Sequence, residues 1–76
     1  MSSELLRIRI LQLSSDQLIV ALNMANGECF NYSAESISEA RSIVQRLIQQ
    51  AAESVLGGIK LKVNEDDTEV IIFQNF

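Results

Sequence analysis

The chain has 76 residues, ten acidic and six basic side chains and a formal net charge of -4, with one cysteine and no histidine. A domain of this length buries only about 60% of its unfolded surface, so we expect self-association to supplement a small core. Net negative charge disfavours wholesale attraction to nucleic acid or anionic lipid, and the longest nearly apolar stretch, 18–22, is too short to cross a bilayer. Because Cys29 has no partner for an intramolecular disulfide, the composition predicts a cytoplasmic protein.

Three strands are predicted in the first half of the chain. Residues 5–13 begin with apolar residues at every second position, as in a half-buried strand. Residues 17–24 place apolar side chains on both faces, which favours a central strand. Asn26-Gly27 then predicts a hairpin with a type I′ turn, since both residues tolerate positive φ, and residues 28–32 form the returning strand.

An amphipathic helix is predicted over residues 36–56. Its N-terminus has two candidate caps, which are Ser36, in a capping box with Glu39, and Ser33. The apolar residues recur at the three-and-four spacing that forms one stripe along a helix. They are Ile37, Ala40, Ile43, Val44, Leu47, Ile48, Ala51 and Val55. This stripe must be buried against another part of the molecule.

A hairpin of two strands is predicted after the helix. Gly57-Gly58 ends the helix, because glycine adopts the left-handed conformation that is common just past a C-terminus. Residues 59–63 then alternate strictly between apolar and polar side chains, and 64–67 form a polar turn. The last strand covers residues 69–73.

The order strand, strand, strand, helix, strand, strand predicts one α+β domain. One helix covers one face of a mostly antiparallel five-stranded sheet. A right-handed crossover through the helix allows the fourth strand to lie beside the first, which makes that pair parallel.

One set of apolar strand residues lies in the opposite phase to the residues that face the helix. The set is Leu11, Leu13, Ile19, Ala21, Ile71 and Phe73. One helix cannot cover both faces of a sheet, and monomers rarely expose a large apolar patch. The sequence therefore favours a small non-catalytic interaction or regulatory module that forms a homodimer, or binds a protein partner, through this face. The alternative is a strand bulge that returns these residues to the core.

Four cations define an alternative function. Arg7 and Arg9 of the first strand and Lys60 and Lys62 of the fourth share one face if the two strands are neighbours. Such a patch binds phosphates in a nucleic-acid-binding regulator, whereas its structural interpretation is a solvated sheet face with edge lysines. A third hypothesis, based on size and acidity, is a small inhibitor of a larger enzyme complex.

The remaining polar residues do not form a recognisable catalytic or metal site. Without histidine, Cys29 lacks a base to activate it, and we expect it to be a half-buried small apolar residue. The acidic run around 65–69 lacks EF-hand spacing and is typical of a solvated hairpin turn. We therefore expect no enzyme activity, no metal and no cofactor.

Overall fold

The computed structural model describes residues 3–75 and confirms the predicted α+β class with the element order βββαββ. The strands and the helix are β1 (Ser3–Ser14), β2 (Gln17–Met24), β3 (Cys29–Ala34), α1 (Ile37–Ser54), β4 (Ile59–Val63) and β5 (Glu69–Gln74). The third strand begins and ends slightly later than its sequence pattern indicates. The five strands form one sheet in the spatial order β3-β2-β1-β5-β4.

Every strand pair in this sheet is antiparallel, so the predicted parallel contact between β1 and β4 is wrong. The chain crosses from β3 to the far edge of the sheet, where β4 lies, and then returns as β5 beside β1. The composition of the two strands explains this order. Consecutive apolar residues, 70–73, suit β5 to a position between two strands, whereas Lys60 and Lys62 suit β4 to an edge.

The core lies between α1 and one face of the sheet. Its sheet side contains Leu6, Ile8, Leu18, Val20, Leu22, Ala34, Val70 and Ile72, all buried. The buried helix residues are Ala40, Val44 and Ala51, and the two alanines leave room for a close approach of the helix. Because α1 packs mainly over β2 and β3, the sheet is covered unevenly even on its helix side.

Ser36 caps the N-terminus of α1, and its hydroxyl accepts a hydrogen bond from Glu39 N at 3.1 Å. The Glu39 carboxylate accepts from Glu35 N at 3.4 Å rather than from Ser36, so the return bond of the capping box is displaced by one residue. The helix ends at Ser54, two residues before its predicted end, because Val55 is already extended.

Glycines with positive φ precede both edge strands. Gly57 and Gly58, at φ +87° and +86°, turn the chain into β4. Gly27, at φ +95°, leads into β3, and it donates from its backbone N to Met24 O at 3.1 Å. Asn26 does not have positive φ, so the hairpin is present but its predicted type I′ turn is wrong. The left-handed residue follows the turn instead, as in three-residue hairpin loops.

Candidate interaction surfaces

The sheet face away from α1, which we call the open face, is uncovered in the described part of the chain. The strand registers align its side chains in rows that run across the sheet. One row joins Asn23, Arg7, Ile71 and Lys62, and the next joins Ala21, Arg9 and Glu69. A third row joins Ile19 to Leu11, and a fourth joins Glu4, Phe73 and Lys60. This face therefore combines apolar and charged residues.

The predicted apolar residues lie in two separate groups on this face. Leu11, Ile19 and Ala21 are neighbours on β1 and β2, whereas Ile71 and Phe73 lie on β5 near the other end of the sheet. Leu13 is exposed and lies where the register between β1 and β2 shifts. It has no partner residue in the register of β2, so it does not belong to either group. The arginines of β1 separate the two groups, so the apolar surface is not continuous.

A bulge at Leu5 shapes the charged part of the open face. In a regular strand, residues three apart point to opposite faces, but the register shift between Glu4 and Leu6 places Glu4 on the same face as Arg7. Their side chains form an ion pair of 2.9 Å. The hydrogen bond from Arg7 and the negative charge of Glu4 both raise the pKa of the Arg7 guanidinium. Arg9 pairs with Glu69 across the strands, also at 2.9 Å.

All four cations of the predicted phosphate patch lie on the open face, although β5 separates their strands. The register places Ile71 between Arg7 and Lys62, so the two pairs of cations are not adjacent. Both arginines are engaged by carboxylates. Four cations against two carboxylates give the strand residues of this face two net positive charges, in a chain of net charge -4. Positive charge is therefore concentrated on the open face.

The outer edge of β3 is a second candidate surface. Its residues, Cys29–Ala34, include no charged side chain, and Phe30 and Tyr32 are exposed on the helix side of the sheet. Cys29 is exposed rather than half-buried as predicted, because β3 is an edge strand and not an inner one. Its Sγ lies 3.0 Å from Asn23 Oδ1, a neighbour on the open face.

A groove between α1 and β4 is a third surface, which the sequence analysis did not identify. It has a volume of about 360 Å³. Its apolar lining includes Val44 and Ile48 of the helix and Leu61 and Val63 of β4. The strict alternation of 59–63 predicts that one side of β4 faces the core. The alternation does not indicate which strands the helix covers. Because α1 lies over β2 and β3, the helix side of β4 remains exposed.

The acidic segment 65–69 forms a turn that Asn64 organises. Asn64 Oδ1 accepts hydrogen bonds from the backbone N of Thr68 and Glu69, at 2.9 and 3.0 Å. Asp67 has φ +59°, and the Glu69 side chain is paired with Arg9. Within residues 3–75, histidine, cysteine and carboxylate side chains form no cluster of three or more that is suited to a metal ion.

Comparison of the chain with protein-family models, curated proteins and solved structures found no match. The described helix is not both long enough and apolar enough to span a membrane.

Proposed function

We propose that the protein is a small, non-catalytic interaction or regulatory module that acts in the cytoplasm and binds a protein partner through its open face. The observation that carries this proposal is the combination on that face of two apolar groups with two net positive charges. A complementary partner surface has apolar residues on either side of carboxylates. A second copy of the same face would bring like net charges together, so an acidic partner fits this face better.

Ile19 and Phe73 provide the sharpest test, because they belong to different apolar groups of the open face. Both are half-buried by their sheet neighbours, so a partner buries what remains of their apolar surface. Full burial of such a side chain contributes about 1.5–3 kcal/mol. Ile19→Ser and Phe73→Ser should each therefore weaken partner binding about tenfold, whereas Ser42→Ala on the exposed helix surface should leave it unchanged.

The measurement is quantitative mass spectrometry of proteins from cells of the source organism that are retained on the immobilised chain and on each variant. A partner should be retained equally by the unaltered chain and by Ser42→Ala, and in clearly smaller amounts by both open-face variants. Thermal unfolding of every variant checks that the fold is intact. Equal retention by all four proteins would overturn the proposal.

A nucleic-acid-binding regulator is the second candidate, since four of the six basic residues of the chain lie on one face. Phosphates would compete with Glu4 and Glu69 for the two arginines, which disfavours tight binding. Fluorescence anisotropy with a short duplex DNA at low salt tests this function. Binding should weaken with salt with a log-log slope of about 0.9 per phosphate neutralised, and Lys60→Gln with Lys62→Gln should reduce the slope. Absence of binding at low salt would exclude this candidate.

A further inference from the structure

The free edge of β3 has the hydrogen-bonding pattern of an antiparallel strand that lacks a neighbour. The carbonyl of Glu28 accepts from Met24 N at 2.8 Å, which directs the even-numbered residues of this strand toward β2. Since successive residues alternate in direction, the backbone N–H and C=O groups of Cys29, Asn31 and Ser33 point away from the sheet. These groups can accept another strand without any rearrangement of the core.

We propose that the strand that pairs with this edge is β3 of a second copy of the chain. A two-fold axis at Asn31, perpendicular to the sheet, places Asn31 opposite its own counterpart and Cys29 opposite Ser33. It also places Phe30 opposite Tyr32, twice, on the helix side of both sheets. The two sheets then become one ten-stranded antiparallel sheet with both helices on the same side. About six backbone hydrogen bonds close the contact.

This register is self-complementary in its side chains. Phe30 and Tyr32 occupy positions that do not exchange backbone hydrogen bonds with the second copy, and such positions bring side chains closest together. Both rings are exposed in the isolated chain, by 46% and 38%. Asn31, Cys29 and Ser33 bring no charge to the other face of the contact. When β3 of a second copy pairs with this edge, aromatic residues therefore meet on the helix side and uncharged residues meet on the other side.

The other edge of the sheet does not offer an equivalent contact. Asn64 N donates to Glu69 O and Asn75 N donates to Gly58 O, so the even-numbered residues of β4 point toward β5. Two-fold pairing of β4 about Leu61 would place Lys60 opposite Lys62, twice, in the closest type of pair. Like charges opposite each other destabilise a strand pair. A contact of β3 with β4 of another copy would be head-to-tail, so it would produce rings or open filaments rather than a two-fold dimer.

The inference goes beyond the proposed function, because the β3 contact leaves the open face free. Pairing of five to six residues is at the small end of protein interfaces, so we expect a dissociation constant in the micromolar range. In the dimer, two open faces lie side by side in one continuous sheet. A partner that binds the open face then meets a surface of twice the area.

Sedimentation equilibrium from about 1 µM to 1 mM tests the dimer. Asn31→Lys places two ammonium groups near the two-fold axis, roughly 6 Å apart, and should weaken the dimer tenfold to a hundredfold. Asn31→Ser, which adds no charge, should dimerise like the unaltered chain. A monomer throughout this range, or equal affinity of Asn31→Lys and Asn31→Ser, would overturn the inference. If Phe73→Ser abolishes the dimer and Asn31→Lys does not, the contact is on the open face instead.

A disulfide trap tests the register without relying on the charge variant. Ser33→Cys, together with the native Cys29, places two cysteine pairs at Cα separations of about 5.5 Å in the proposed dimer, within the range for disulfides. Oxidised glutathione should then produce a covalent dimer whose linked peptides join residue 29 of one copy to residue 33 of the other. Linkage of 29 to 29 or of 33 to 33 would contradict this register. Retention of open-face partners by Phe30→Leu, a change on the helix side of the sheet, separates failure of the dimer from failure of the proposed function.

Discussion

The two edge strands expose similar amounts of apolar side chain but differ in charge. On β3, Phe30 and Tyr32 are 46% and 38% exposed, and on β4, Leu61 and Val63 are both 47% exposed. Both pairs lie on the helix side of the sheet. The remaining side of β4 carries two lysines, whereas that of β3 carries neutral polar groups. Apolar exposure therefore does not distinguish the two edges, and charge decides which edge can pair with its own copy.

Removal of the charge from β4 should abolish the difference between the two edges. Lys60→Thr with Lys62→Thr makes this edge neutral and keeps a side chain that suits strands. Because the proposed dimer has a β4 edge at each end, pairing of these edges would link dimers into an open-ended sheet. We expect assemblies that grow with concentration, measured by light scattering and sedimentation velocity.

Lys60→Arg with Lys62→Arg is the matched control for this change. It keeps both charges, so the protein should remain a dimer. Growth of both double variants would show that the threonine variant does not act through charge. If neither double variant forms growing assemblies, the lysines are not what keeps β4 unpaired.

A smaller effect is expected from the aromatic residues of β3. An aromatic pair contributes about 0.5–1.5 kcal/mol beyond its buried area, and the proposed dimer contains two pairs of Phe30 with Tyr32. Phe30→Leu should therefore weaken the dimer about tenfold in sedimentation equilibrium, while the neighbouring backbone pairing persists. Leu61→Ala on the opposite edge is the control and should leave the dimer constant unchanged. If the two substitutions have equal effects, the contact does not depend on the β3 edge.

The sequence predicted the element order and the two faces of β1 and β4, because alternation along a strand is local. It did not predict which strand lies beside β1. That choice depends on the whole composition of β4 and β5, and the crossover rule allowed a different order. The ion pair of Arg7 with Glu4 was also hidden, since it requires the bulge at Leu5.

The edge position of β3 determines how much of the candidate surface the sequence could reveal. Cys29, Phe30 and Tyr32 look like half-buried strand residues by type, but their exposure follows from the absence of a sixth strand beside them in the described sheet. The open-face residues were predicted by phase, yet their division into two groups depends on the cross-strand register. Register couples residues that are far apart in the chain, so periodicity within one segment cannot fix it.

The glycines that precede the two edges should differ in their tolerance of a side chain. Gly27→Ala and Gly57→Ala both place a Cβ on a residue with positive φ, which costs about 1 kcal/mol. The added Cβ at position 57 also lies 3.2 Å from the Asn75 carbonyl oxygen, whereas that at position 27 meets no atom within 4 Å. Gly57→Ala should therefore lower the free energy of unfolding by more than Gly27→Ala does, with a total loss of about 1–2 kcal/mol in urea denaturation. Equal losses would indicate that the chain before β4 relaxes away from Asn75.

The smallest expected effect is the response of the dimer to salt. In the proposed register, Glu28, which directly precedes one β3, lies near Glu35, which directly follows the other, so each end of the contact carries two like charges. Charges roughly 8 Å apart in water repel by about 0.5 kcal/mol, and most of this repulsion is screened between 0.1 M and 1 M salt. Raising the NaCl concentration over this range should therefore strengthen the dimer by roughly twofold, and Glu35→Gln should remove most of the dependence. A self-contact of the open face would also strengthen with salt, because that face carries two net positive charges, but Glu35→Gln would leave its salt dependence unchanged. Loss of the dependence in Glu35→Gln, measured by sedimentation equilibrium, therefore distinguishes the β3 edge from the open face.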